Sequence, residues 1–234
     1  MKNILNLEVK DVLKKIKRRI KDKLSLSDDG ERVDININEK INFEELSLNE
    51  RSHLKRYEFA KQLLNIGDVV GDFACGTGYG TSMLSEKASK VIGIDINTKV
   101  IDIIKKRYKE NNKIEFINSN IIDIKLKNYF DKIISFETIE HFDEKDIPCV
   151  LNIYIKALKN NGKLIFSVPY MQKRDNLAIK MGFHKTFYID ENEIQKWLNQ
   201  AGFKRFHFRY QNNKTHDIMD KLYEKMFIIC EAIK

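Results

Sequence analysis

No stretch of about 18 consecutive apolar residues occurs in the 234-residue chain, so nothing in it reads as a membrane-spanning helix. Cysteine is scarce as well: Cys75, Cys149 and Cys230 are odd in number and far apart. That excludes a disulfide scaffold and a zinc-type Cys spacing, and it predicts reduced thiols in a cytosolic setting. The N-terminus has no apolar block, because lysines interleave with its Leu, Ile and Val residues; this predicts a cytoplasmic chain without a secretory signal. Repeats and low-complexity segments are also missing. What is left is the make-up of one folded domain with some decoration, 42% hydrophobic and 32% charged, long enough to bury a core.

The positive charge is confined too. A net charge of +8 suggests a nucleic-acid partner until it is located. Nine Lys/Arg against Glu8, Asp11 and Asp22 give residues 1–25 a net of +6, which leaves +2 for the rest of the chain. Within that tail Leu5, Val9, Val12, Leu13, Ile16, Ile20 and Leu24 recur at helical spacing, opposite the basic residues. The pattern predicts an N-terminal unit over residues 1–46, a basic amphipathic helix and a linker. The helix would dock on the body or on a protein partner, or else contact a membrane surface or nucleic acid. SLSDDGERVD (25–34) reads as a loop, followed by a polar connection to about residue 46.

From residue 47 to 234 the pattern is that of a single domain. A helix is expected over about 48–65, and from residue 68 short apolar runs alternate with amphipathic stretches. DVVGDFA, KVIGIDI, KIEFINS, FDKIISF and GKLIFSV read as five strands, with helices near 79–88, 97–110 and 145–160. Strands alternating with helices give a doubly wound parallel sheet. FKRFHFR (203–209) and KMFIICEAI (225–233), after a helix at 191–201, add two strands able to pair antiparallel. The expected fold is α/β, a mostly parallel seven-stranded Rossmann-like sheet with the last strand antiparallel.

Glycine is sparse, ten residues in all, yet four fall within GDFACGTGYGT (71–81). The first strand ends in Asp72 and gives way to Ala74, Gly76, Gly78 and Gly80, where glycine allows positive φ and lets a ligand lie against backbone. The second strand ends in Asp95, 19 residues after Gly76, the spacing at which an acid caps a ribose diol. A nicotinamide fingerprint would need a third glycine where Thr81 stands. Asp72 would also oppose a pyrophosphate, and suits a ligand with a positive end.

Asp72-Phe-Ala-Cys-Gly-Thr-Gly resembles the first motif of the class I S-adenosylmethionine (SAM)-dependent methyltransferases, with Ala74 for the usual first glycine. The resemblance covers roughly residues 50–210. It is nearest to methyltransferases of polysaccharide gene clusters and of the ubiquinone O-methyltransferase type, and it implies SAM as cofactor. Asp95, followed by Ile96, matches the ribose-binding acid. Ser119, Asn120 and Ile121 match the position that reads the adenine edge, with Asn120 where the family usually has Asp. His53, in a helix resembling one that precedes the domain in polysaccharide-cluster members, either closes over the cofactor or faces solvent.

SFETIEHF (135–142) sets Glu137, Glu140 and His141 at i, i+3 and i+4, so on a helix they share one face, and two adjacent carboxylates need something to offset their repulsion. In this fold Phe136 and Glu137 line the methyl-donor pocket. Many family members carry E-x-x-E-H here without a metal, and then Glu140 and His141 only hold the loop, or His141 serves as general base. His184 lies on a later loop that returns over the same sheet edge. Glu137, Glu140, His141 and His184 together make an octahedral set for Mg²⁺ or Mn²⁺, similar to those of the ubiquinone-pathway enzymes and the small-RNA 2′-O-methyltransferases.

The expected function is SAM-dependent O-methyl transfer to a sugar or another small, sugar-like molecule, with His141 and Glu137 as catalytic residues. RNA ribose 2′-O-methylation is opposed by the near-neutral charge of residues 26–234 and by the absence of a recognised RNA-binding module. A non-catalytic SAM-binding partner subunit is opposed by the intact glycine turn and the Glu/His set. Residues 169–190 and 210–223, which shape the acceptor pocket, carry no readable code.

Overall fold

Eight strands, ordered β3-β2-β1-β4-β5-β8-β6-β7, form one sheet among the described residues. The computed structural model describes residues 32–37, 41–221 and 224–234; the amphipathic helix expected over 1–25 lies outside them. Strands β1 (Val69–Phe73), β2 (Lys90–Asp95), β3 (Ile114–Asn118), β4 (Phe130–Phe136) and β5 (Leu158–Pro169) are all parallel. β8 (Lys225–Ile233) inserts antiparallel between β5 and β6 (Arg205–Asn212). The eighth strand, β7 (Ile218–Met219), was not legible: it is two residues long and exists through pairing with Tyr210 and Gln211 of β6.

Helices cover both faces, as short parallel crossovers require. On one face lie α1 (Leu48–Leu63) and α2 (Tyr79–Ser85), where Leu54, Tyr57, Ala60, Tyr79, Met83 and Leu84 pack with Val70, Ile134 and Ile229 of the sheet. On the other, α4 (Ile147–Ala157) and α6 (Glu191–Ala201) bury Val150, Leu151, Tyr154, Ile194, Trp197 and Leu198 against Phe73, Ile133 and Phe166. Each such aliphatic side chain contributes about 1.5–3 kcal/mol when fully buried. A third cluster forms beneath α3 (Thr98–Arg107), and a short α5 (Asn176–Met181) lies in the long β5–α6 connection.

Caps explain why some boundaries fall where they do. Ser47 and Glu50 form a reciprocal capping box at the start of α1. Asp190 caps α6 by accepting from the Glu193 N–H, and Gly202, left-handed at φ 101°, ends it. None of the described helices is long and apolar enough to cross a membrane.

The stretch before α1 departs from the polar connection expected there. Val33 and Ile35 are buried in the core cluster under α1, so residues 32–37 are packed onto the body.

Candidate active site

The carboxyl ends of β1, β2, β3 and β4 meet at one edge of the sheet, where ligands of open α/β folds bind. A cavity of about 670 Å³ opens there. Of the expected cofactor residues, Ala74, Gly76, Asp95, Ile96, Asn120, Ile121 and Phe136 line it.

The glycine turn owes its shape to left-handed backbone: Ala74 has φ 61°, Gly76 51° and Gly78 74°. A Cβ at Gly76 would meet nothing nearer than Arg32 Cγ at 4.0 Å, so the space above the turn is open. Gly78 does not line the cavity; a Cβ there would strike the Phe116 ring at 2.9 Å. Asp95 is oriented by backbone, its Oδ2 accepting from Gly76 N–H at 3.0 Å and its Oδ1 from Asn97 N–H at 2.9 Å. Each carboxylate oxygen has a second lone pair to offer a ribose hydroxyl. Ile96, 64% exposed, gives the cavity an apolar wall beside it. Asn120 Oδ1 accepts from Ile122 N–H at 3.2 Å, so one of its lone pairs is already used.

Asp72, expected among the ligand-facing acids, does not reach the cavity. Side chains alternate along β1, and Asp72 shares the face of Val70, beneath α1. It is fully buried and accepts from Tyr57 Oη at 3.0 Å and Thr81 Oγ1 at 2.6 Å. Burial lifts its pKa to about 6, against the lowering effect of those two bonds. Its effect on a ligand passes through Tyr57, which does line the cavity.

The turn after β4 is not the single helical face expected. Glu137 is left-handed at φ 49°, and only Ile139–His141 form a 3₁₀ turn. The cause is tertiary: the Glu137 N–H donates to Ser167, and Ser167 Oγ donates back to Glu137 Oε1 at 2.8 Å. Glu137 is thereby set apart from Glu140. Burial raises its pKa, opposed by the Arg56 guanidinium, the Ser167 bond and His141.

Glu140, His141 and His184 do come together, with one ligand atom from each inside a 4.8 Å group. Backbone places His184: the N–H groups of Lys185 and Thr186 both donate to Glu140 O, and Thr186 Oγ1 donates to Phe142 O. His141 Nδ1–H donates to Phe183 O at 3.0 Å, which leaves Nε2 as its lone-pair atom. His184 Nδ1 bonds Gln172 Oε1 at 2.5 Å, so its Nε2 also carries the lone pair, 4.0 Å from Glu140 Oε1. Burial, and then His141, lower the His184 pKa to about 4. Two imidazole lone pairs facing a buried carboxylate are a donor set that fits a cation.

Residues 70–162 match the family described as a methyltransferase domain. This match, with the methyltransferase relatives, supports a class I SAM-dependent methyltransferase domain. The demethylmenaquinone methyltransferase of Lactobacillus johnsonii is 28% identical over 63% of this chain and 62% of its own length. A mitochondrial ubiquinone biosynthesis O-methyltransferase of Candida albicans is 26% identical over 65% of this chain and 52% of its own. In both cases the match spans less than two thirds of the relative. The fold is also that of a SAM-dependent methyltransferase crystal structure from Mesorhizobium loti, with TM-score 0.64 at 16% identity over 80% of this chain and 100% of that one.

The domain thus keeps the cavity open above Gly76 and beside Asp95. Several lining residues escaped the sequence reading: Arg32, Asn49, Tyr57 and Gln172. Tyr57 follows His53 by one helical turn of α1, a spacing that puts both on the cavity side; Arg32 and Gln172 sit in segments without a motif.

Proposed function

We propose that the protein transfers a methyl group from SAM to a hydroxyl of a small acceptor bearing adjacent hydroxyls, a sugar or sugar-like compound. One observation carries this reading: Glu140, His141 and His184 come together after β4, and His141 and His184 line the same cavity as Glu137 and Asp95. The glycine turn and Asp95 hold the donor, and the acceptor lies toward Glu137. Transfer is an in-line displacement in which the acceptor oxygen forms a bond to the methyl carbon as the S–CH₃ bond breaks, so positioning supplies most of the rate. Glu137 takes the hydroxyl proton on its carboxylate, whose proton affinity burial raises.

Glu140, His141 and His184 would hold a divalent cation, and two imidazoles with one carboxylate favour Mn²⁺ over the oxygen-seeking Mg²⁺. Such an ion supplies Lewis acidity that lowers the pKa of a bound hydroxyl. The chain itself sets both His tautomers, through Phe183 O and Gln172, leaving each Nε2 as the lone-pair atom. A second reading, a catechol-like acceptor, is favoured by Phe136, Phe142 and Phe183 in the cavity wall and by the ubiquinone O-methyltransferase relative.

Labelled SAM offered with panels of sugars and of catechols, before and after chelation, tests the proposal. Transfer to the sugars that stops with EDTA and returns with Mn²⁺ is expected. Transfer confined to catechols would select the second reading. Activity that survives chelation but is lost in His141→Ala would remove the cation and make His141 the base.

A further inference from the structure

Residues 32–37 cross the glycine turn and are tied to the methyltransferase domain at three points. Val33 and Ile35 are buried beneath α1, 8% and 3% exposed. Thr77 Oγ1, inside the glycine turn, donates to Val33 O at 2.8 Å. Asp34 forms a two-pronged ion pair with Arg107 in the last turn of α3, Oδ1 to Nη1 at 2.5 Å and Oδ2 to Nη2 at 3.1 Å, with Asp34 only 9% exposed. These ties deliver Arg32 to the donor end of the cavity. Its Nη2 is 3.6 Å from Asp95 Oδ1, and its Cγ is 4.0 Å from where a Gly76 Cβ would stand.

We propose that residues 32–37 are a clasp on the methyl donor, with the Asp34–Arg107 pair as its catch and Arg32 as a residue that positions the Asp95 carboxylate. The inference rests on the reading that this cavity holds SAM. The ribose that Asp95 would cap and the backbone at Gly76 both lie beneath Arg32, so a donor seated there is walled in on that side. Its product leaves by passing Arg32. A bidentate guanidinium–carboxylate pair has a single geometry, whereas a lysine or a lone carboxylate would let the segment slide. Release of the catch then speeds dissociation more than it slows entry, as expected when one partner of a buried charge pair is removed.

The test uses the full chain and S-adenosylhomocysteine, with affinity read by calorimetry and release by stopped-flow. Asp34→Asn and Arg107→Gln should each raise the dissociation rate and Kd about tenfold, and the reversal Asp34→Arg with Arg107→Asp should return both to within about threefold of wild type. Arg32→Ala, which removes a side chain that is 19% exposed at the cavity, should speed release about three- to fivefold. Ligand-free melting curves show that each variant is folded. Single variants with rates and affinities within twofold of wild type would overturn the clasp, as would tighter binding by Arg32→Ala, which would make Arg32 a competitor for Asp95. A wild-type chain that binds no S-adenosylhomocysteine would overturn the donor assignment itself, and the clasp with it.

Discussion

Two residues at the carboxyl end of β1 are held in costly states, and each cost is measurable. Ala74 occupies the left-handed region at φ 61°, where an L-residue pays about 1–2 kcal/mol. Glycine removes that strain but adds about 0.5–1 kcal/mol of unfolded-chain entropy. Ala74→Gly should therefore stabilise the fold by about 0.5–1 kcal/mol in denaturant titration, and a loss of stability would contradict the strain. Asp72 is the second. An exposed Asp titrates near 4, whereas burial lifts Asp72 to about 6. Between those values the unfolded chain has released its proton while the native carboxyl keeps it, so stability falls as pH rises from about 4 to about 6. Comparison of wild type with Asp72→Asn across that interval should show the fall lessened in the variant; parallel curves would contradict a raised Asp72. Neither state is legible in sequence, since the motif names an acid at this position without saying which face of β1 it takes.

At the scale of elements, α1 is seated on α2 through aromatic contacts. Tyr57 meets Tyr79 and Phe136 edge-on, with ring centroids 5.3 and 5.1 Å away. A Cβ at Gly80 would lie 2.1 Å from the Tyr57 ring. Gly80→Ala should force Tyr57 off Asp72 at a cost of about 1–3 kcal/mol, a drop of several degrees in melting temperature at about 2–4 °C per kcal/mol. An unchanged melting curve would contradict this close seating. α1 and α6 were legible because their caps and apolar periodicity are local. The turn at 137–141 was not, because its shape depends on Ser167, 30 residues on. Val33, Ile35 and Ile37 alternate with polar residues, yet the run is too short to be told from a loop without the α1 surface it packs on.

For the whole molecule, the alternation of strands and helices announced the doubly wound sheet, and the spacing from Gly76 to Asp95 pointed to the edge where the cavity opens. Of the four residues expected to converge, Glu140, His141 and His184 do so and Glu137 is not in the group. Their geometry was not legible, because His184 is carried in by backbone bonds from Lys185 and Thr186 to Glu140 O, which no spacing encodes. All of this converges on one claim, that the edge carrying Gly76 and Asp95 binds the methyl donor. Calorimetry of the full chain with S-adenosylhomocysteine, beside Asp95→Ala, tests it most directly. The account predicts micromolar-range binding that Asp95→Ala weakens about tenfold to a hundredfold, the ~1.5–3 kcal/mol of hydrogen bonds to a charged group. Heat on adding NAD but none with S-adenosylhomocysteine, or an Asp95→Ala variant that binds like wild type, would contradict it.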